Sequence, residues 1–185
     1  GAEDLAVYSY DGTFEEHCPD VVVLPESTEQ VSRVVQLAAR ERIPVVARGM
    51  ASGLTAASVP FNGGIVLSMT RMNKLLEIDQ VNAIAHVQAG IVTSDLQEAV
   101  EKLNLFYPPD PSSIKHSTIG GNIACNAGGP RCLKYGVTGD YVLGLTIVLA
   151  DGRILKTGGK PIKDVTGYDL NGLFTGSEGT LGVIT

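Results

Sequence analysis

Residues 21–47 place a strand, a helix and a second strand within about 30 residues, a succession that few architectures can accommodate. Val21, Val22, Val23 and Leu24 form the first apolar run, closed by Pro25. Ser27 with Gln30 three residues later is a capping-box signature, and Val31, Val34, Val35 and Ala38 then recur at helical spacing on one face. Pro44 disfavours helical geometry at Ile43, so the helix is expected to stop there, and Val45, Val46 and Ala47 read as a second buried strand. A βαβ unit of this length makes its two strands parallel and puts Arg48 at their carboxyl end.

Downstream, Ile65, Val66 and Leu67 predict a third strand and residues 83–87 a fourth, with a lobe boundary between them at residues 71–79. Ser94 and Gln97 are expected to cap a helix that carries Leu96, Ala99, Val100 and Leu103 on one face and ends near Asn104. Residues 107–129 shift to Pro, Ser, Gly and Asn. A stretch of that length is rarely left structureless without a functional reason, and a ligand is expected to order it. Residues 146–150, the pair Asp151-Gly152 and residues 153–156 read as a β-hairpin, which makes the second lobe partly antiparallel.

Composition narrows the function. With 44% apolar and 18% charged residues, 185 residues can bury roughly 70% of their unfolded surface, enough for one core or two small joined lobes of a soluble fold. The net charge of -6, with Lys and Arg scattered, provides no footprint for nucleic acid. The longest apolar stretch, residues 141–150, is about half of the roughly 20 residues that a membrane span requires. The chain opens on Gly1 with no basic and apolar leader pattern, so a cytoplasmic setting is expected. Cys18, Cys125 and Cys132 are odd in number and lack CxxC spacing, and His17 and His86 have no partner at ligand spacing, so neither a disulfide framework nor a metal site is predicted.

The chemistry begins directly after the second strand. Arg48, Gly49, Met50, Ala51, Ser52, Gly53, Leu54 and Thr55 form a small-residue loop whose successive backbone N–H groups suit a diphosphate. The loop is neither Walker A nor GxGxxG, and alone it reads equally as a tight surface turn. Four further segments accompany it: "PPDPSS" at 108–113, "STIGGNIACNAGG" at 117–129, "KYG" at 134–136 and "GSEGTLGVIT" at 176–185. Together they resemble the FAD-binding domain of the vanillyl-alcohol oxidase and p-cresol methylhydroxylase superfamily, and most closely its glycolate oxidase and D-lactate dehydrogenase branch. The resemblance runs from about Pro19 to Thr185, with residues 1–18 as an extension.

That resemblance implies an α+β, two-lobed PCMH-type fold: a small βαβ lobe over about 19–70 and a larger mixed lobe over about 71–185 with antiparallel strands, FAD lying between them. It implies that Met50 to Thr55 wrap the diphosphate with backbone N–H groups, that Arg48 and Gly49 bind the cofactor beside them, and that Pro109, Asp110, Pro111, Ser112 and Ser113 lie along it. Thr118, Gly120, Gly121, Asn122, Asn126, Gly128 and Gly129 would contact diphosphate, ribityl chain or flavin ring, while Glu178, Gly179 and Ile184 border the adenosine half. Gly permits close backbone approach, and Ser, Thr and Asn supply neutral hydrogen bonds to ribityl hydroxyls and ring edges. Relatives with covalent flavin commonly carry His near the position of Ser52, so the FAD here is expected to be non-covalent.

The implied activity is oxidation of a D-2-hydroxy acid such as glycolate or D-lactate, by hydride transfer to flavin N5. An electron-acceptor subunit and a substrate cap domain beyond Thr185 are implied partners, and no residue of this chain is assigned as the catalytic base. The first loop departs from the usual RGxG[ST]xLxGG, with Ala51 in place of one Gly and Ala56-Ala57 in place of the last pair. A left-handed Ala51 would cost about 1–2 kcal/mol. A non-catalytic module with weakened FAD binding and an NADPH-dependent reductase on the same fold are the alternatives. Lys115 and His116 read as a solvated loop, and Asp164, Tyr168 and Asp169 as anchors of the second lobe.

Overall fold

A computed structural model describes residues 1–185, the side chain of Ala2 excepted. The chain runs through α1 (Ala2–Ala6), β1 (Val21–Val23), α2 (Thr28–Glu41), β2 (Val45–Arg48), β3 (Ile65–Ser68), β4 (Leu75–Asp79), β5 (Ile84–Val87), α3 (Thr93–Glu101), α4 (Ile119–Cys125), α5 (Cys132–Tyr135), β6 (Gly144–Val148), β7 (Ile154–Gly158), α6 (Leu170–Phe174) and β8 (Val183–Ile184). The fold is α+β, with one parallel sheet, ordered β1-β3-β2, and two antiparallel ones, β4-β5 and β7-β6-β8.

The βαβ unit forms as its residues dictate. Ser27 Oγ accepts the Gln30 N–H at 3.3 Å, and the Gln30 side chain returns the bond to the Glu26 N–H at 2.7 Å rather than to Ser27. Arg42, left-handed at φ 56, closes the helix, and the Ile43 N–H reaches back to Ala38 O. β1 and β2 are parallel but not neighbours, because β3 inserts between them with Ile65 opposite both Val21 and Val45. All four β3 residues are buried, as befits a central parallel strand covered on both faces.

The alternation of β6 joins two hydrophobic clusters. Leu145 and Ile147 enter a cluster with Ile91, Leu96, Val100, Ile119, Ile123 and Phe174, whereas Val148, on the opposite face, enters the cluster of Val31, Val35, Ala38, Ile65 and Leu67. Each such fully buried aliphatic side chain contributes roughly 1.5–3 kcal/mol relative to exposure. The β6–β7 hairpin is seated on α2, where Ser32 Oγ donates to Gly152 O at 2.6 Å.

Residues 75–79, in the span expected to hold the lobe boundary, are β4, paired with β5 around a register shift. Four other expectations need correction. Ser94 and Gln97 do not cap α3: its N-cap is Val92, with no side-chain bond, and the Gln97 amide instead donates to Tyr107 O and Pro109 O, both at 3.0 Å. Residues 107–129 contain α4, which a Gly-Gly pair had disguised. Thr118 Oγ1 accepts the Gly121 N–H, Asn126 caps the far end at φ 47, and Ile119 and Ile123 bury one face, which together outweigh the poor helix propensity of Gly. The hairpin turn is wider than Asp151-Gly152, since pairing ends at Val148 opposite Ile154 and Gly152 is left-handed at φ 83. Tyr168 is 94% exposed and anchors nothing; Asp169 alone of that trio caps a helix, accepting the Gly172 N–H at 2.8 Å.

Candidate functional site

The loop after β2, the first turns of α4 and the turn before β8 converge on one cleft enclosing about 1080 Å³ with its open mouth. Arg48, Gly49, Met50, Ala51, Ser52, Gly53 and Thr55 form one wall. Ser113, Thr118, Gly120, Gly121 and Asn122 form a second, and Glu178, Gly179 and Ile184 border the third side. Segments separated by more than 120 positions in the chain thus meet at one place.

Other residues singled out by sequence do not line the cleft. Leu54 is 77% exposed beside it. Pro109, Asp110, Pro111 and Ser112 lie behind Ser113, with Asp110 Oδ1 accepting the Arg131 N–H at 3.0 Å. Gly129 packs directly on Asp110 O, and the Gly129 N–H meets Cys132 Sγ at 2.8 Å beside Gly128. Asn126 turns away to accept the Gly139 N–H at 2.9 Å. These residues brace the second wall. Conversely, Asp11, Ser58, Met69 and Ala89 do line the cleft although their local sequence carries no motif, as do Ser117 and Cys125, which lie within the segment at 117–129 but were not singled out.

The wall geometry explains several residue choices. Ala51 is left-handed at φ 53, and so is Ala56 at φ 58, so the two alanines occupy the backbone conformation that glycine takes without strain. Gly120 donates its N–H to Ala89 O at 2.7 Å, and a Cβ there would stand 2.6 Å from Ala89 Cβ, so α4 approaches that segment only through glycine. Thr55 Oγ1 donates to Glu178 Oε2 at 2.9 Å and ties the first loop to the turn before β8. Glu178 itself is left-handed at φ 51.

The charged groups of the cleft are already engaged. Arg48, 7% exposed, donates to Val7 O at 3.3 Å, to Ser58 O at 3.4 Å and to Tyr8 O at 3.5 Å, with its guanidinium 5.6 Å from the Tyr8 ring centroid. Burial lowers its pKa, opposed by the nearby Asp11. Asp11 accepts from Thr13 N at 2.9 Å and from Ser58 Oγ at 3.4 Å. Burial, reinforced by the Glu178 carboxylate, pushes the Cys125 thiol up and keeps it neutral. By contrast, among the described residues no protein acceptor meets the backbone N–H groups of Met50, Ala51, Ser52 and Gly53. Four free donors at the edge of a cleft suit an anionic, elongated ligand, and no heavy atom lies within 4 Å of where a Gly53 Cβ would stand.

Comparison with known proteins settles the family. The family described as "FAD binding domain" matches residues 19–158. The chain belongs to that family. FAD is therefore its cofactor, and the open donor row and the glycine-lined approach fit that group. The glycolate oxidase subunit GlcD of Bacillus subtilis (strain 168) is 54% identical over 180 residues, covering 97% of this chain and 38% of that protein. A D-lactate dehydrogenase of Anaerostipes hadrus is 47% identical over 167 residues, covering 90% and 35%. Among solved structures, alkyldihydroxyacetonephosphate synthase superposes with a TM-score of 0.80 at 32% identity, over 92% of this chain and 33% of that one. This FAD binding domain thus spans little more than a third of these relatives. Among the described residues no helix is long and apolar enough to cross a membrane.

Proposed function

We propose that this FAD binding domain serves an enzyme that oxidises a D-2-hydroxy acid of the glycolate or D-lactate type, the FAD being held non-covalently. The row of unaccepted N–H groups at residues 50–53, facing a cleft whose charged side chains are spent on other partners, is the observation that supports a diphosphate at that loop. Thr118, Gly120, Gly121 and Asn122 continue the contact surface toward the ribityl chain and ring, and Glu178, Gly179 and Ile184 close the adenosine side. The substrate class rests on identity to the glycolate oxidase subunit and the D-lactate dehydrogenase over nearly the whole chain. When bound, the cofactor supplies a two-electron acceptor for the α C–H bond of the acid. The chain's own residues bind and orient it; Arg48, Asp11, Cys125 and Glu178 are engaged or neutral and provide no base. The base and the acid-binding groups belong to a further substrate domain of the polypeptide, with an electron-acceptor subunit as partner and the cytoplasm as setting.

Titration with FAD tests the reading. At one hundred times Kd a ligand of the native state adds about 2.7 kcal/mol, which for a chain of this size raises Tm by roughly 5–10 °C. Flavin fluorescence should change in step, and the chain alone should leave a redox dye unreduced with D-lactate or glycolate, because base and positioning are both absent. A folded protein with no shift and no fluorescence change would instead be a non-catalytic module.

A further inference from the structure

Behind the second wall lies a buried polar chain in which Thr93, outside every motif, joins Ser117 and Asn122. Asn122 is 2% exposed, Thr93 is fully buried and Ser117 is 5% exposed. Thr93 Oγ1 stands 2.8 Å from Ser117 O, 3.1 Å from Ser117 Oγ and 2.7 Å from Asn122 Nδ2. The Thr93 hydroxyl donates to Ser117 O, which also accepts the Thr93 backbone N–H at 2.9 Å. Thr93 Oγ1 then has only lone pairs for its other neighbours. Ser117 must donate to it, and Asn122 must turn its amide nitrogen, not its oxygen, toward Thr93. Asn122 Oδ1 is left without a protein donor, while no fully buried side-chain N or O among the described residues lacks a partner, so Oδ1 holds what little surface Asn122 keeps, at the cleft it lines.

We propose that Thr93 and Ser117 are positioning residues that lock Asn122 with its carbonyl oxygen toward the cleft, so that the site demands a hydrogen-bond donor, an O–H or N–H of the bound cofactor, at that point. The inference rests on FAD occupying this cleft. It assigns a polarity to one wall: the loop at residues 50–53 offers donors to the anionic centre of the ligand, and Asn122 offers an acceptor to a neutral, proton-bearing part.

A double-mutant cycle on FAD affinity tests it. Asn122→Ala should weaken FAD roughly five- to tenfold, the loss of one buried acceptor. Thr93→Val should weaken it by a similar factor, Thr93→Ser should restore it, and Thr93→Val in the Asn122→Ala background should add less than about twofold, because Thr93 acts through Asn122. Thermal melts confirm that each variant folds, and Thr93→Ala replaces any valine variant that does not. Independent, multiplying losses would make Thr93 a merely structural residue and overturn the proposal, as would wild-type affinity in Asn122→Ala. Failure of the unsubstituted chain to bind FAD would instead refute the reading of the cleft.

Discussion

Replacing Ala51 with Gly should stabilise the protein and leave its affinity for FAD unchanged. Ala51 already holds φ 53 in the loop that forms the donor wall. A non-glycine residue pays about 1–2 kcal/mol for that conformation. Glycine's greater freedom in the unfolded chain returns about 0.5–1 kcal/mol of the gain, which leaves a net stabilisation of about 0.5–1 kcal/mol. For a chain of this length that is a rise in Tm of roughly 1–4 °C. Because the strain is present while the loop already presents its N–H groups to the cleft, relief applies equally before and after binding, and Kd should stay within about twofold. Differential scanning calorimetry and flavin fluorescence titration measure the two quantities separately. Binding that tightens five- to thirtyfold with no change in Tm would refute the reasoning, since the loop would then reach the left-handed form only with ligand. A lower Tm would mean that the Ala51 methyl makes contacts worth more than the strain.

Gly53→Ala should leave Tm within about 2 °C of the parent yet weaken FAD at least tenfold, because the added methyl meets no protein atom within 4 Å and stands on the cleft wall. Unchanged affinity would place the diphosphate elsewhere. Gly120→Ala should cost about 1–3 kcal/mol, read from the urea midpoint, since its Cβ would collide with Ala89 across a packed wall; a neutral result would show that α4 can retreat. Burial pushes the Tyr107 hydroxyl up from 10.0 to about 12, so the fold favours its neutral form. That contribution is complete below pH 10 and is lost as the pH rises toward 12, a change on the order of 2 kcal/mol. Tyr107→Phe should remove this slope from the stability profile, and an unchanged alkaline slope would assign it to other tyrosines.

Local sequence was most informative where short-range physics decides. The capped, periodic helix α2 and the strands on either side of it follow from Ser27, four apolar positions and two prolines. It failed where a distant partner decides. Residues 75–79 do not read as a strand because only pairing with β5 makes them one, and the Gln97 amide looks like a cap until the Tyr107 and Pro109 carbonyls come within reach. α4 was hidden by its glycines, and Gly120 is there for the approach of Ala89 and not for the helix itself. In the candidate site the contiguous loop at residues 48–53 was legible, whereas Asp11, Ser58 and Ala89 reach the cleft only through the tertiary fold.

The guanidinium of Arg48 is held by the carbonyls of Val7 and Tyr8, both upstream of residue 19, where the family match begins. The boundary of the family match therefore runs through the foundation of the donor loop. Excising the domain at Pro19 would retain every recognisable motif and strand a buried cation without two of its three acceptors, while Gly12 would no longer donate its N–H to Gly53 O at 3.0 Å. The smallest transplantable flavin cradle is thus longer than its signature, and grafting it onto another scaffold would require the seemingly dispensable leader to travel with it.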